Sequence, residues 1–418
     1  MSTINPVFLI TPTTQRYEWG KIGNSSKVAQ LAISAVPGFV LDGSTPYAEL
    51  WMGTHVKSPS GVTDSNKTLR TVLAEHPELL GDVPSVFDTT DGNLPFLFKV
   101  LSIGKALSIQ THPDKKTAEK LHAEQPKVYT DPNHKPELAL ALTPFRGLCG
   151  FMPIPDIKTY LTDVPEFKSL IPENVVCQFE GASENEEKAA LKELFSCIMT
   201  ADVENVKKQL SSLVERYQRG GETRAEQGIK DLVLTLNSQF PGDVGIFCSF
   251  VLNCVDMQPG EAIFLGAGEP HAYVAGDIIE CMANSDNVIR AGLTPKPKDI
   301  PNLVSGLTYK TTKVDEHIIK PEPFLLCKYT TIYDPPIPDF TVLEVDIPQN
   351  DVSAHDGLNG PSIAIVTAGS GSIGWMDGDD PVQLLAGSVI FIGANTEVSF
   401  RSKDQGMTVY RAFVAVSL

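Results

Sequence analysis

The hydrophobic positions of the first third of the chain follow a strand pattern. Residues 94–112, LPFLFKVLSIGKALSIQTH, are rich in β-branched and aromatic residues and are interrupted at Gly104, which predicts two strands joined by a tight turn. In the second strand, alternation places Ser108, Gln110 and His112 on the same face, opposite two aliphatic side chains. We therefore predict a strand with one polar face.

Between about residue 152 and residue 240 the apolar positions change to helical spacing. Ser183 and Glu186 form a capping box, after which one apolar stripe contains Leu191, Leu194, Phe195, Ile198 and Met199. A second stripe follows the cap Asp202, ends before a Gly-Gly pair, and contains Val203, Val206, Leu210, Leu213, Val214 and Tyr217. A third contains Ile229, Leu232, Val233 and Leu236. We interpret the block as a helical insert without chemistry of its own.

Strand patterns return after the insert, as short β runs separated by glycine-containing turns. This rhythm is typical of a β-sandwich or jelly roll. The stretch 258–274, QPGEAIFLGAGEPHAYV, is also similar to 384–400, LLAGSVIFIGANTEVSF; with Gly260 aligned to Gly387 and Gly266 to Gly393, Val398 falls opposite His271. We infer two β lobes of one kind, of which only the first keeps this histidine.

Length and composition support a division into parts. A chain of 418 residues exceeds what one hydrophobic core usually supports. Its 32 glycines and 31 prolines among short apolar runs favour turn-rich β structure. We predict a mainly β protein with an α-helical insert, divided into a first β domain over residues 1–151 and 241–310, the helical insert over 152–240, and a C-terminal β lobe over 311–418.

The charge of the chain excludes some classes of partner. A formal net charge of −17, with no local Lys/Arg stripe, argues against nucleic-acid binding. No apolar run reaches the roughly 18 residues of a membrane span, and the first residues lack a basic segment and a long apolar core. Seven cysteines without a C-x-x-C pair indicate reduced thiols. We expect a cytoplasmic protein.

One polar stretch raises the question of its chemistry. YTDPNHKPEL, residues 129–138, has little to bury but carries Lys135 and Glu137 on either side of a proline. Proline fixes its own φ and biases the preceding residue toward extended geometry. We therefore expect both charged side chains to be presented from a stiff segment.

Four polar residues from three parts of the chain make a candidate metal site. Two imidazoles, one carboxylate and one amide oxygen suit Zn²⁺, which accepts nitrogen and oxygen donors. Such a set leaves a residual charge of about +1 on the centre, which preserves its Lewis acidity. The candidates are Gln110, His112, Glu137 and His271.

Longer stretches around these residues resemble a known family. YTDPNHKPE (129–137) and HAYVAGDIIECMANSDNVIRAGLTPK (271–296) closely resemble the two signature sequences of the type I phosphomannose isomerases, and QTHP (110–113) and YEWG (17–20) are similar to that family as well. The resemblance implies zinc-dependent interconversion of mannose 6-phosphate and fructose 6-phosphate, which supplies mannose for GDP-mannose and glycan synthesis. It implies a cupin-type jelly-roll catalytic core with an inserted helical domain and a second, C-terminal jelly-roll lobe.

The resemblance also implies roles for particular residues. It implies an essential active-site arginine at Arg290. It implies one zinc ion per chain, with ligands at Gln110, His112, Glu137 and His271.

Aldose–ketose exchange limits which residues fit the catalytic step. A proton moves between C1 and C2 through an enediol, so the site must polarise a carbonyl, hold two oxygens and supply a base. Candidates for the base are His134, Lys135 with a lowered pKa, and Glu280 in the strand after His271. His134 and Lys135 rank first because they flank Glu137, and a hydride shift stays open as an alternative.

The phosphate of the substrate needs local positive charge, because the chain as a whole is acidic. Arg290 offers a planar fork for phosphate or enediolate oxygens, and Lys296 follows it after a Thr-Pro turn. Further candidates are Ser108 and Lys99 for the phosphate and Trp19 and Tyr273 for packing against the sugar ring.

Two other functions compete with the isomerase. Two histidines and one carboxylate also form the facial triad of Fe(II) dioxygenases, although a glutamine ligand and an Arg/Lys pair argue against that class. A non-catalytic sugar-phosphate binding protein with a structural metal is the second alternative. We expect a monomer that acts on a small phosphosugar and needs no partner protein.

Overall fold

The computed structural model describes residues 4–376, 378 and 380–414, and these residues form a mainly β protein with a block of helices. The strands are β1 (Val7–Thr11), β2 (Thr13–Gln15), β3 (Lys21–Ile22), β4 (Pro46–Tyr47), β5 (Glu49–Met52), β6 (Gly61–Val62), β7 (Phe96–Ile103), β8 (Ile109–Thr111), β9 (Glu137–Ala141), β10 (Phe145–Phe151), β11 (Leu252–Met257), β12 (Ala262–Leu265), β13 (His271–Ala283), β14 (Ile289–Gly292), β15 (Ile318–Ile319), β16 (Glu322–Pro323), β17 (Thr330–Tyr333), β18 (Thr341–Ile347), β19 (Val352–His355), β20 (Ser362–Trp375), β21 (Val382–Leu385), β22 (Val389–Ile392) and β23 (Val398–Phe413).

The helices concentrate between β10 and β11. They are α1 (Lys27–Ala35), α2 (Leu69–Glu75), α3 (Lys115–Glu124), α4 (Ile154–Asp163), α5 (Pro165–Lys168), α6 (Glu173–Gly181), α7 (Glu187–Met199), α8 (Val203–Gln218), α9 (Lys230–Gln239) and α10 (Ile300–Gly306). The predicted fold class, mainly β with a helical insert, is confirmed. The jelly-roll arrangement of each lobe and the exact domain limits stay predictions.

Two large antiparallel sheets divide the β structure into what we call the first lobe and the C-terminal lobe. The first lobe contains the sheet β15-β12-β9-β13-β7-β5-β2, to which β8, β10, β11 and β14 are attached. The C-terminal lobe contains the sheet β16-β17-β18-β23-β20-β22-β1-β6, with β19 and β21 attached. Strand β1 pairs with β22, so the start of the chain completes the C-terminal sheet.

The two strands predicted within residues 94–112 form, but they do not pair with each other. β7 is buried along its whole length and lies between β5 and β13. β8 pairs instead with β14 and with the first residue of β13. The connection near Gly104 is held by the carbonyl of Trp19, which accepts hydrogen bonds from the N–H groups of Gly104 and Lys105. The polar strand therefore lies beside β14.

The helical stripes are largely as predicted. All five residues of the first stripe are buried in α7, and the four of the third are buried in or next to α9. The second stripe is wrong at Val203, which is 61% exposed because it is the first residue of α8, directly after the Asp202 cap. The predicted capping pair forms, because the Glu186 carboxylate accepts a hydrogen bond from the Ser183 N–H. The pair precedes the helix, however, because α7 begins only at Glu187.

Strand β9 is buried on both faces, between the two lobes. Leu138 and Leu140 pack in a core that also contains Phe340, Ile365 and Phe391 of the C-terminal lobe. The alternate residues of β9 face a separate core of the first lobe. Strand β9 therefore links the interface between the lobes to the interior of the first lobe.

Candidate metal centre and active site

Three predicted ligands meet in the interior of the first lobe. The Nε2 atom of His112 lies 3.3 Å from Oε1 of Glu137, and the Nε2 atom of His271 lies 3.3 Å from Oε2 of the same carboxylate. All three side chains are buried, and their candidate ligand atoms lie within 4.8 Å of one another. One divalent cation between them would have two nitrogen donors and one oxygen donor.

The sheet explains why these residues converge. Glu137 is the first residue of β9 and pairs with Met282 of β13. His271 is the first residue of β13 and lies opposite Gln110 of β8, which in turn lies opposite Arg290 of β14. His271, Gln110 and Arg290 therefore form one row across three strands, and His112 follows at the end of β8. Gln110 as a fourth ligand stays a prediction.

Backbone carbonyls fix the orientation of both imidazoles. The Nδ1 atom of His112 lies 2.6 Å from the carbonyl oxygen of Asn287, and that of His271 lies 3.0 Å from the carbonyl oxygen of Glu269. A carbonyl only accepts hydrogen bonds, so each Nδ1 carries the proton and each Nε2 keeps a free lone pair. Both Nε2 atoms are buried and form no hydrogen bond. Because unpaired buried nitrogens are rare, this arrangement fits a bound metal.

The protonation states also suit a cation. Burial opposes ionisation of Glu137, but the charge of Lys135, whose Nζ lies 3.0 Å away, favours the carboxylate, and the pKa of this carboxyl lies well below its usual range. Burial, reinforced by the charge of Lys135, lowers the pKa of His112 to about 4. The carboxylate is therefore ionised and the imidazole neutral at pH 7, as metal ligands must be.

A buried ion-pair network lies on the neighbouring strands. Lys99 of β7 lies directly opposite Glu280 of β13, and its Nζ is 2.9 Å from Glu280 and 3.4 Å from Glu49. Burial lowers the pKa of Lys99, but the two carboxylates outweigh it and raise the pKa overall. Burial raises the pKa of Glu280, against the opposing charge of Lys99. The predicted phosphate candidate and the predicted base candidate therefore form an ion pair with each other.

Arg290 differs from these residues because no described residue is its anionic partner. Its side chain is half-buried, and burial lowers its pKa, without any opposing carboxylate. No ion pair or hydrogen bond of the guanidinium occurs within the part of the chain that the structure describes. A guanidinium without such partners, on a residue in the same strand row as Gln110 and His271, is suited to binding an anionic group.

Comparison with known proteins identifies the family. The sequence matches three family models, "Phosphomannose isomerase type I, catalytic domain" over residues 7–154, the helical insertion domain over 169–252, and the C-terminal domain over 331–375. The mannose-6-phosphate isomerase of Cryptococcus neoformans is 45% identical, with 98% of this chain and 99% of that protein covered. The chain belongs to the type I phosphomannose isomerase family.

Further members of the type I phosphomannose isomerase family agree with this assignment. The human mannose-6-phosphate isomerase is 42% identical, with 97% of this chain and 98% of that protein covered. A crystal structure of mannose 6-phosphate isomerase bound with zinc and yttrium has a TM-score of 0.83 and 29% identity, and covers 99% of this chain and 100% of that one. The apo form from Salmonella typhimurium gives the same values.

The helices of the described residues include no candidate membrane span, since none combines sufficient length with sufficient hydrophobicity.

The remaining candidates from the sequence differ in their burial and in whether they contact a predicted ligand residue. Tyr273 is buried, and its hydroxyl donates a 3.2 Å hydrogen bond to Glu137, so it contacts a ligand residue directly. Trp19 is half-buried and packs against the same core as Tyr273. Ser108 is half-buried just before β8, whereas Lys296 is exposed beyond β14. Their roles in substrate binding stay predictions.

His134, the other candidate base beside Glu137, contacts the C-terminal lobe, and its role as a base stays a prediction. Its Nε2 lies 2.9 Å from Oδ1 of Asp339, a buried residue of the C-terminal lobe. Lys135, by contrast, contacts Glu137. The two neighbouring base candidates therefore contact different parts of the molecule.

A hydrogen-bond network that was missed in the sequence connects the two signature stretches. The carboxylate of Asp131 accepts hydrogen bonds from the Ser285 hydroxyl at 2.8 Å, the Asp286 N–H at 2.8 Å and the Asn287 amide at 3.3 Å. The Asn287 amide also donates to the carbonyl of Asn133. Asn287 in turn holds His112, so Asp131 supports a ligand residue through one intermediary. Asp131 and Asn287 both lie within the two stretches that resemble the family signatures. The hydrophobic and polar pattern of the sequence does not predict that these two residues contact each other.

Two basic side chains, Lys57 and His55, contact Asp286 in the loop between β13 and β14. Asp286 lies 2.8 Å from Lys57 and 3.5 Å from His55. The hydrogen bond from His55 and the contact with Lys57 hold the pKa of Asp286 well below its usual range. The loop before β14 is therefore held on both sides.

Proposed function

We propose that this type I phosphomannose isomerase is a zinc-dependent aldose–ketose isomerase that interconverts mannose 6-phosphate and fructose 6-phosphate. The observation that carries the proposal is the meeting of two unpaired imidazole nitrogens and one carboxylate among the described residues, with Arg290 in the same strand row as His271. Curated relatives at 42–45% identity bear the name mannose-6-phosphate isomerase, which supports the substrate.

The proposed metal is one Zn²⁺ per chain, held by His112, Glu137 and His271, with Gln110 as the fourth ligand. Nitrogen and carboxylate donors suit this ion, and one solved relative is described as bound with zinc. When bound, zinc supplies a Lewis acid that polarises the carbonyl of the open-chain sugar.

The protein side chains perform the proton transfer. A base removes the C2 proton of mannose 6-phosphate while the carbonyl oxygen O1 gains a proton, which gives the enediol. A proton then adds to C1 while the O2 hydroxyl loses its proton, which gives fructose 6-phosphate. The candidates are Lys135, whose charged Nζ lies 3.0 Å from Glu137 and which must lose its proton before it acts as a base, and Glu280, whose pKa burial raises against the charge of Lys99. His134 ranks behind them because its Nε2 contacts Asp339.

The substrate oxygens need a cationic partner that is not already neutralised. Arg290 is half-buried, has no carboxylate partner among the described residues, and lies opposite Gln110. It is the candidate for holding the phosphate or the enediolate oxygens. Lys99 is less suited, because Glu280 and Glu49 already neutralise it.

The proposed cellular role follows from the reaction. In the direction from fructose 6-phosphate, the reaction forms mannose 6-phosphate for GDP-mannose and glycan synthesis. We propose that the protein acts as a cytoplasmic monomer without a partner protein.

A coupled assay tests the proposal. Protein purified without added metal should convert mannose 6-phosphate to fructose 6-phosphate, lose this activity in a chelator, and recover it when Zn²⁺ is added. Equal rates with and without oxygen should exclude the dioxygenase alternative. Full turnover after complete removal of metal would overturn the metal role, and absence of turnover with zinc and substrate present would favour a binding protein.

A further inference from the structure

A proline-rich loop of the C-terminal lobe packs against the strand that carries Glu137. We call residues 334–340, DPPIPDF, the proline loop; it connects β17 to β18. Three prolines limit its backbone freedom, and the Thr341 hydroxyl closes it by donating to Asp334 at 2.9 Å. Phe340 is fully buried in the core that contains Leu138 and Leu140 of β9. The loop is therefore a stiff element fixed against β9.

Polar contacts from the C-terminal lobe reach both ends of β9. At its start, Asp339 contacts His134 at 2.9 Å, and the Asp339 side chain is only 5% exposed. At its end, the Tyr333 hydroxyl donates to the carbonyl of Gly260 at 2.7 Å, and the Gly260 N–H donates to the carbonyl of Ala141. The C-terminal lobe thus fixes β9 at two points.

The contact at the start of β9 bears directly on the metal centre. Only Lys135 and Pro136 separate His134 from Glu137. Pro136 fixes its own φ and restricts Lys135 to extended geometry, so a displacement of His134 is passed along this short segment instead of being absorbed. Both Lys135 and Glu137 belong to the site, where their charged groups are 3.0 Å apart.

We propose that Asp339 is a positioning residue for the isomerisation. Its carboxylate holds the His134 ring, and through the proline-stiffened segment it holds Lys135 and Glu137 in their working geometry. The inference rests on the proposed function. It gives the lobe that lacks the metal ligands a role in catalysis.

Steady-state kinetics of single variants test the proposal. D339A should lower kcat for mannose 6-phosphate about tenfold, since small misplacements of catalytic groups are costly, while KM stays within about twofold and bound zinc is retained. D339N keeps an acceptor oxygen for His134 and should retain most of the wild-type kcat. The matched control D334A breaks only a bond within the proline loop and should leave kcat unchanged.

The outcomes separate this inference from the proposed function. An inactive wild-type protein would overturn the proposed function. If the wild type is active, two results would overturn the role of Asp339. One is a wild-type kcat in D339A, and the other is a loss of kcat in D334A as large as that in D339A. If D339A does not fold, D339L, which fills the same space without an acceptor, should show the same loss of kcat.

A double-mutant cycle isolates the contact itself. If Asp339 acts through His134, the variant H134A/D339A should be no slower than the slower single variant, because neighbouring residues that act together are not additive. Losses of kcat that multiply would show that the two residues act independently and would overturn the proposal.

Discussion

Glu137 begins β9 between β12 and β13 in the first lobe, and Ser362 begins β20 between β22 and β23 in the C-terminal lobe. His271 begins β13, and Val398 begins β23, as the sequence alignment of the two stretches predicts. The two lobes therefore present equivalent backbone positions around their interiors, but the C-terminal lobe replaces a carboxylate with a hydroxyl and an imidazole with an aliphatic side chain.

Two further equivalent positions carry polar residues in both lobes. Gln110 lies opposite the first residue of β13, and His355 lies opposite the first residue of β23. Glu280 pairs with the third residue of β9, and Arg411 pairs with the third residue of β20. The buried acid of the first lobe thus corresponds to a buried base in the C-terminal lobe.

The C-terminal lobe satisfies its buried polar groups without a ligand. Arg411 donates from Nε to the Ser362 hydroxyl at 2.8 Å and from an NH group to Nδ1 of His355 at 3.2 Å. The Nε2 of His355 lies within hydrogen-bond distance of the hydroxyls of Thr330 and Ser353. In the first lobe both ligand Nε2 atoms lack such partners. The comparison teaches that unpaired nitrogens, rather than the strand framework or a buried histidine, distinguish the candidate metal centre.

Replacing one buried histidine in each lobe should give the largest contrast. H271A should lose bound zinc and lower kcat/KM by about 1,000-fold or more, because the Lewis acid contributes several kcal/mol. The matched variant H355A should keep both zinc and activity per folded molecule. Metal analysis and the coupled assay measure the two quantities, and full zinc retention in H271A would contradict its role as a ligand.

Replacing one arginine in each lobe should separate activity from stability. R290A should keep its zinc and lower kcat/KM about 100-fold, because a charged donor to the substrate is lost. R411A should keep its activity but lower the free energy of unfolding by about 2–4 kcal/mol, since His355 and Ser362 lose a buried partner. Kinetics and urea unfolding check both variants, and unaltered kinetics in R290A would remove that residue from the site.

Asp131 should affect metal affinity without contacting the metal. D131A removes three hydrogen bonds from residues 285–287 and should weaken zinc binding about 10–100-fold, because supporting groups orient the ligands. The control D351A, which removes a carboxylate beside β19, should leave zinc affinity unchanged. Competition with a chromogenic chelator measures the affinity, and equal affinities in the two variants would show that the network does not support His112.

His355 should make the stability of the C-terminal lobe depend on pH. Burial, with the charge of Arg411, lowers its pKa to about 3, against about 6.5 in the unfolded chain. The unfolded state therefore binds the proton first, so this stability is complete above about pH 6.5 and declines by up to about 1.4 kcal/mol per pH unit as the pH falls toward 3.

Hydrogen exchange of the β23 amides at several pH values measures that decline. H355Q should flatten it, whereas H76Q, which changes a partly exposed histidine outside this cluster, should not. The same slope in H355Q and in the wild type would assign the pH dependence to another group.

The sequence predicted the strands and helices more fully than the contacts between residues that are distant along the chain. Strand alternation and the helical stripes depend on neighbouring residues, and the family resemblance supplied the ligand set. Lys99 and Glu280 received separate roles because only the register of β7 and β13 brings them together. The contact between His134 and Asp339 joins residues 205 positions apart, and no periodic pattern encodes such a distance.

Anomalous X-ray scattering at the zinc absorption edge, measured on crystals of protein purified without added metal, tests the central claim most directly. We predict one peak per chain, within bonding distance of His112, Glu137 and His271, and none beside His355. An active protein with no peak at these three residues, or with its zinc in the C-terminal lobe, would contradict the account.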